Sequence, residues 1–403
     1  MGASSSGRSR DVVLLATADW DHPFWTNKQH VASAMAQLGH RVLYVESVGL
    51  RPPRFEGQDL HRLWRRLRRG LRPPRRVAAN TWVWSPLLIP AAHTGWKRAL
   101  NQRLFACWLE VWRRLLRFKA DLLWTYNPLT GVLLALPQRR YQQLVYHCVD
   151  DLTAQPCMPS ALIAREEEIL CRSSDQVFVT SLELLHTRSR FNPNTRYDSN
   201  VADLDFFAQA RDPRTLIAAD LCALPKGPRL GFIGAVSAYK LDLALLAELA
   251  AARADCQIIL IGRLGEGDPS TDLKCLLAYP NVHFLGPRPY ADLPHYLRGF
   301  DLALLPCPMN DYTRSMFPMK FFEYMAAGVP IVSTELPALR DYAELACLCA
   351  TNQAFIAAVN RLLGSSDQHQ RAVVPLEKLP PHCSYRGRTQ LMMEVLERLQ
   401  PAV

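Results

Sequence analysis

The sequence has no C-x-x-C pair, and its 11 cysteines are scattered and odd in number. This argues against a paired disulfide framework and fits structural thiols in a reduced, cytoplasmic compartment. Cys347 and Cys349 stand too close together for ordinary zinc-ligand spacing. Long apolar runs are missing too: nothing approaches a membrane span, and the run 12–16 is too short for a signal sequence. No G-x-S-x-G elbow is present, so a hydrolase triad has no support. Nor is there a G-x-G-x-x-G loop. Gly262, Gly265 and Gly267 follow an apolar run, but their spacing differs and no clean helix succeeds them.

What the chain does have is size, with an ordinary globular composition. At 403 residues, 49% hydrophobic and 21% charged, it exceeds what one core usually organises, so two domains are expected. Its formal charge of +10 is unevenly spread: residues 51–76 carry ten arginines against Glu56 and Asp59, a net of +8. A basic face of this kind asks for an anionic partner, such as a membrane surface, nucleic acid or a phosphorylated substrate. Residues 1–6 formally match a myristoylation pattern, a frequent coincidence in a Ser-rich tail.

Each half opens with an apolar run and then alternates strand and helix. Strands are expected at 11–17, 41–46, 121–126, 143–147 and 176–180, then at 229–233, 257–261, 282–285, 302–305 and 330–333. Helical spacing covers 28–38, 242–251, 290–298, 319–327 and 384–399. Strands buried on both faces imply parallel sheets, hence an α/β chain of two Rossmann-like domains facing across a cleft. The expected division is 1–210, with a basic amphipathic insert at about 51–119, a linker at 211–228, a second domain at 229–380 and a terminal helix within 381–403.

The most informative stretch is 310–334, NDYTRSMFPMKFFEYMAAGVPIVST. Pro318 suits a helix start and Gly328 its end, and a strand follows at once. A helix start offers free N–H groups and positive dipole charge, and Lys320 adds a full cation. Glu323 shares its face and can accept two hydroxyl hydrogen bonds, so the pair suits a phosphate-ribose unit. From the residues alone, a solvated i,i+3 ion pair reads as well.

This stretch resembles the donor-site signature of GT-B glycosyltransferases of the group 1 type, P-x-K-x-x-E-Y-x-A-x-G-x-P-V-V. The likeness extends to the bacterial branch that includes teichuronic-acid enzymes, through GFIGA at 231–235, NVHFLG at 281–286, YADLP at 290–294, YHCVDD at 146–151 and NKQH at 27–30. The resemblance implies the GT-B fold, with the C-terminal helix crossing back to the N-terminal domain, and a nucleotide-sugar bound by the second domain. Glu323 then matches the ribose-binding glutamate, Lys320 a lysine near the diphosphate, and Gly234 and Ala235 the turn close to the phosphates. Three positions depart from the family. Ala235 stands where an arginine often clamps the diphosphate, which leaves Lys240, Arg288 and Arg314 as candidate cations. Ser315 stands eight residues before Glu323, where a second glutamate is usual. Residues 200–203 read Asn-Val-Ala-Asp in place of Asn-Gly-Val-Asp.

In the N-terminal domain, His147, Asp150 and Asp151 come after a strand, at the expected cleft. The resemblance implies that His147 bonds the donor sugar and Asp150 orients the acceptor; a buried, internally satisfied histidine is the plain alternative. It also implies metal-independent chemistry with no cofactor and retention at the anomeric carbon. Trp20 and Lys28 are expected on the acceptor and membrane side. So are Trp64, Arg65, Arg68 and Arg69, from an Arg- and Trp-rich amphipathic pattern that suits an anionic bilayer better than nucleic acid. Residues 96–119 read either as a continuation of that surface or as a core helix with a basic outer face. The expected activity is transfer of a UDP- or GDP-hexose to a glycan or lipid-linked acceptor in surface polysaccharide or glycolipid synthesis, peripheral to the cytoplasmic membrane face. A GT-B nucleotide-sugar epimerase and a catalytically silent GT-B module stay open.

Overall fold

The structure is a computed structural model that describes residues 9–22, 24–47, 70, 72–89, 95–135, 141–364, 373–376, 379 and 381–399. The chain divides into two compact units: Met1–Thr153 with Met158–Asp198 and Tyr385–Val403, and Ala154–Cys157 with Ser199–Ser384. The division therefore falls after Asp198, earlier than the expected position 210. The expected linker 211–228 is packed into the second unit, where Leu221 is fully buried and Arg211 donates to the carbonyls of Met325 and Ala326 at 2.6 and 2.7 Å.

The first unit holds an eight-stranded sheet in the order β3-β4-β2-β1-β5-β6-β7-β8. Its strands are β1 (Asp11–Leu15), β2 (Arg41–Val45), β3 (Arg75–Ala78), β4 (Thr81–Trp84), β5 (Leu122–Thr125), β6 (Gln143–Cys148), β7 (Gln176–Val179) and β8 (Thr195–Tyr197). All pairings are parallel except the β3–β4 hairpin. Val12, Val13, Leu14 and Leu43 are wholly buried, as parallel strands covered on both faces require. Helix Tyr385–Arg398 joins this unit: the Tyr385 hydroxyl donates to Asn27 Oδ1 at 3.0 Å, and Gln143 Nε2 donates to the Leu396 carbonyl at 3.0 Å.

The second unit is an all-parallel six-stranded sheet, β11-β10-β9-β12-β13-β14. Its strands are β9 (Arg229–Ile233), β10 (Gln257–Ile261), β11 (Val282–Gly286), β12 (Leu302–Leu305), β13 (Ile331–Thr334) and β14 (Cys347–Cys349). The order is that of a Rossmann sheet. It reverses between β9 and β12, and ligands of such sheets bind beyond the strand ends at that reversal. Helices Leu243–Ala252 and Asn352–Gly364 bury Leu245, Leu246, Leu249, Phe355 and Val359 against one apolar cluster of this unit. The expected helix 290–298 opens as a 3-10 turn, Tyr290–Asp292, and becomes helical at Leu293–Leu297, with Pro294 in its first turn.

Candidate functional site

Three strand-end turns meet where the second sheet reverses. After β9, the Gly234 N–H donates to the Ile261 carbonyl at 2.9 Å, and the Val236 N–H donates to the Arg263 carbonyl at 2.9 Å. Gly262 has φ +149°, and a Cβ there would overlap the Gly234 carbonyl oxygen. The glycine-rich stretch that superficially suggests a dinucleotide loop is therefore packing: it lets the turn after β10 support the turn after β9. After β12 the chain enters helix Asp311–Ser315, closed by a capping box between Asn310 and Thr313. Asn310 Nδ2 also donates to the Tyr239 carbonyl at 2.9 Å, which ties this turn to the one after β9.

Helix Lys320–Ala327 follows, with Pro318 just before its first residue and Gly328 closing it at φ +76°. Arg211 donates to its last carbonyls, a favourable place for a cation. Tyr324 fixes its position against the sheet: the Ile233 N–H donates to the Tyr324 hydroxyl at 2.8 Å, at the end of β9. One residue earlier, Glu323 is 3% exposed and accepts from Lys320 Nζ at 2.7 Å. The i,i+3 ion pair therefore exists, but it is not the solvated pair of an outer helix face. Its carboxylate is buried while its cation keeps partial access to solvent.

Tyr290 and Tyr312 are further contributors. Burial first, and then the charges of Glu323 and Asp203, push the Tyr290 hydroxyl's pKa far above its ordinary value, so this phenol stands in the field of the same carboxylate. Lys240 Nζ lies 5.2 and 5.3 Å from the ring centroids of Tyr239 and Tyr312, at cation–π distance, bridging the turns after β9 and β12. In sequence, the EY dipeptide of the 310–334 stretch hinted at Tyr324 and the YADLP motif at Tyr290, while Tyr312 carries no distinguishing spacing.

The other second-unit candidates separate from this group. Arg288 is engaged with Asp220 at 2.7 Å and with the Tyr296 hydroxyl at 2.7 Å, so its charge has a structural partner. Arg314 is exposed, 3.8 Å from Asp311. Ala235 is half-buried in the turn after β9. Ser315 is buried, and its hydroxyl donates to the Tyr312 carbonyl at 3.0 Å, so it is part of its own helix's bonding.

In the first unit, His147 lies inside β6 rather than after it. It is 4% exposed, with Nδ1 3.1 Å from the Tyr126 hydroxyl and its ring edge-on to Trp124. Burial, aided by the charges of Lys28 and Arg388, pushes its pKa down to about 3. It is therefore a neutral core histidine at ordinary pH. Asp151 accepts from the Thr153 backbone at 3.0 Å and pairs with Arg188 at 3.3 Å. Burial raises its pKa, but the Arg188 charge and the Thr153 bonds outweigh this and leave it lowered. Arg188 also binds Glu167 at 3.0 Å, so Asp151 belongs to an internal ion network. Asp150 is half-buried. Trp20, expected on the acceptor and membrane side, is buried against Trp25 and Tyr44, with its backbone N–H donating to Glu46. Lys28 is half-buried, its Nζ 5.8 Å over the Tyr126 ring. Trp64, Arg65, Arg68, Arg69 and residues 1–6 lie outside the described residues. Among the described residues no group of three or more His, Cys, Asp or Glu is arranged to hold a metal ion. Among them, too, no helix is long and apolar enough to cross a membrane.

The class that this fold and site define is matched in sequence. Residues 227–365 match the family model described as glycosyl transferases group 1, so the second unit carries a group 1 glycosyl transferase domain. The chain is 37% identical over 113 residues to the putative teichuronic acid biosynthesis glycosyltransferase TuaH of Bacillus subtilis (strain 168). That alignment spans 28% of this chain and 28% of the relative, little more than a quarter of each. Among solved structures, sucrose-phosphate synthase from Thermosynechococcus elongatus is similar at TM-score 0.67 and 16% identity, over 96% of this chain and 98% of that one. Anabaena HepE in complex with UDP-glucose is similar at TM-score 0.64 and 16% identity, over 96% of this chain and 100% of that one. The fold is GT-B, built from two Rossmann-like parallel-sheet units.

Proposed function

We propose that the chain is a glycosyltransferase that moves a hexose from a UDP- or GDP-sugar to a glycan or lipid-linked acceptor, with retention at the anomeric carbon. One observation carries this reading. A buried carboxylate, Glu323, and a partly exposed cation, Lys320, open a helix at the reversal point of a Rossmann sheet, inside the stretch that matches the group 1 family. In the proposed pose the diphosphate takes the helix mouth and Lys320, and two ribose hydroxyls take Glu323. The close backbone of Gly234 and Ala235 lies along the phosphates. Charge growing on the departing diphosphate is stabilised by the helix dipole, Lys320 and Lys240, which are preorganised before the reaction. The departing phosphate assists proton removal from the acceptor hydroxyl. Asp150 orients that acceptor, while His147 supports its strand from the core as a neutral group. The relative TuaH, by name a putative teichuronic acid biosynthesis glycosyltransferase, supports a polysaccharide acceptor.

A second reading is a GT-B module that binds its ligand without turnover. Ser315 and Ala235 favour it, because neither supplies the charge usual at its position in the family, and Ser315 bonds its own helix. Incubation with UDP-, GDP- and TDP-sugars and lipid-linked glycan acceptors separates the readings. Nucleotide released only when acceptor is present supports the transferase. Interconversion of the sugar without release means an epimerase. Nucleotide binding with no product from any pair means the silent module.

A further inference from the structure

Helix Gly95–Leu115 has two apolar faces, one buried in the core and one exposed. The inner face is ordinary core: Asn101, Phe105 and Leu109 are buried, and Phe105 stacks on Trp84 at 5.7 Å. On the outer side, Trp96, Leu100, Leu104, Trp108, Val111 and Leu115 succeed one another at spacings of three and four, which places them on one stripe. Trp96 is 70% exposed, Trp108 48% and Leu115 68%. The stripe runs about 30 Å, the full length of the helix. An exposed apolar stripe of this kind, with cations set into it, marks a site of association.

The charges around it are of one sign. Lys97, Arg103, Arg114, Arg117 and Lys119 are exposed on or just beyond the helix. The single acidic residue between 95 and 120 is Glu110, and it is held by Arg113 at 2.9 Å and Arg114 at 2.6 Å. A second copy of the chain would bring cations against cations. An anionic bilayer meets both features at once: tryptophan and leucine enter the headgroup boundary, and lysine and arginine meet lipid phosphates at its edge. We propose that the outer stripe of helix Gly95–Leu115, with its flanking cations, is the surface by which this chain lies on an anionic membrane. The core-helix and membrane-surface readings of residues 96–119 are then both true, on opposite sides of one helix. The inference does not rest on the donor site.

Co-sedimentation of the full chain with vesicles tests it. Binding is expected to phosphatidylcholine mixed with phosphatidylglycerol, to weaken as salt rises, and to be slight on phosphatidylcholine alone. The triple substitution Trp96→Ser, Trp108→Ser and Leu115→Ser should lower that binding roughly ten-fold or more. Thermal melting and UDP affinity should stay at the unsubstituted level, because these side chains face outward in the first unit. Charge reversal, Arg103→Glu with Arg114→Glu, should lower it by a similar factor and flatten the salt dependence. Four outcomes overturn the proposal: no binding to phosphatidylglycerol vesicles, unchanged vesicle binding by the triple variant, a dimer in ultracentrifugation that this variant dissolves, or tighter binding to RNA than to vesicles.

Discussion

The two sheets are wound alike, yet their reversal points are furnished differently. In the second, turns after three strands and one helix start converge, and the buried Glu323 has as its partner a lysine that still reaches solvent. In the first, polar side chains turn to one another. His147 faces Tyr126, Asp151 and Glu167 share Arg188, and the Glu46 carboxylate accepts from the Trp20 backbone N–H. A buried polar group whose partners are all internal is framework, because a ligand would have to break those bonds before making its own. A buried carboxylate beside a cation that keeps access to solvent is an arrangement a ligand can enter. The contrast is what favours the second unit for the proposed donor recognition, with the polar core of the first as support.

Three outcomes sharpen that contrast, the largest effect first. Gly262→Ala places a Cβ against the Gly234 carbonyl at a φ that alanine rarely adopts. It should destabilise the second unit by roughly 2–4 kcal/mol, seen as an earlier calorimetric transition with the first unit's transition unmoved. His147 gives the next effect, and its sign follows from its lowered pKa. Unfolding exposes a histidine of ordinary pKa near 6.5, so the unfolded chain takes up a proton that the native chain refuses until about pH 3. Its contribution is complete above pH 6.5 and is lost as pH falls toward 3, by up to about 1.4 kcal/mol per pH unit. An NMR titration should show the His147 imidazole unchanged from pH 8 to 5. A midpoint near 6.5 would return it to the list of accessible catalytic groups. Arg314→Ala should do least. As an exposed cation 3.8 Å from Asp311, it should shift stability by less than about 1 kcal/mol and leave nucleotide affinity within about three-fold. A larger loss of affinity would move Arg314 into the donor site.

Much of the architecture was legible because continuous apolar runs such as VVLL at 12–15 and QIILI at 257–261 have no other home than a parallel sheet. The strands not anticipated, β3, β4, β8 and β14, are short and lie toward sheet edges, where arginine, tryptophan and cysteine replace the aliphatic signal. The helix near Lys320 was readable because Pro318 and Gly328 bracket it locally, and the turn at Gly234 through the family resemblance. The Tyr324 clasp on Ile233 was not: its partners are 91 residues apart, and no local pattern carries that distance. Nor could residues 146–151 reveal that Asp151 pairs with an arginine 37 residues on, which places it in an internal ion network. The burial of Trp20 was not legible either, since tryptophan marks a wet interface and a dry core equally well.

The central claim is that Glu323 and Lys320 receive a sugar nucleotide. Calorimetric titration of UDP into the unsubstituted chain, Lys320→Ala and Glu323→Gln, with melting temperatures recorded in parallel, tests it most directly. Measurable binding is predicted for the unsubstituted chain, with Lys320→Ala weaker by about 1.5–3 kcal/mol and Glu323→Gln also weakened, and both variants melting close to the parent. Undiminished affinity in both variants, or a large fall in melting temperature with affinity intact, would contradict it and leave the pair a strut of its own helix.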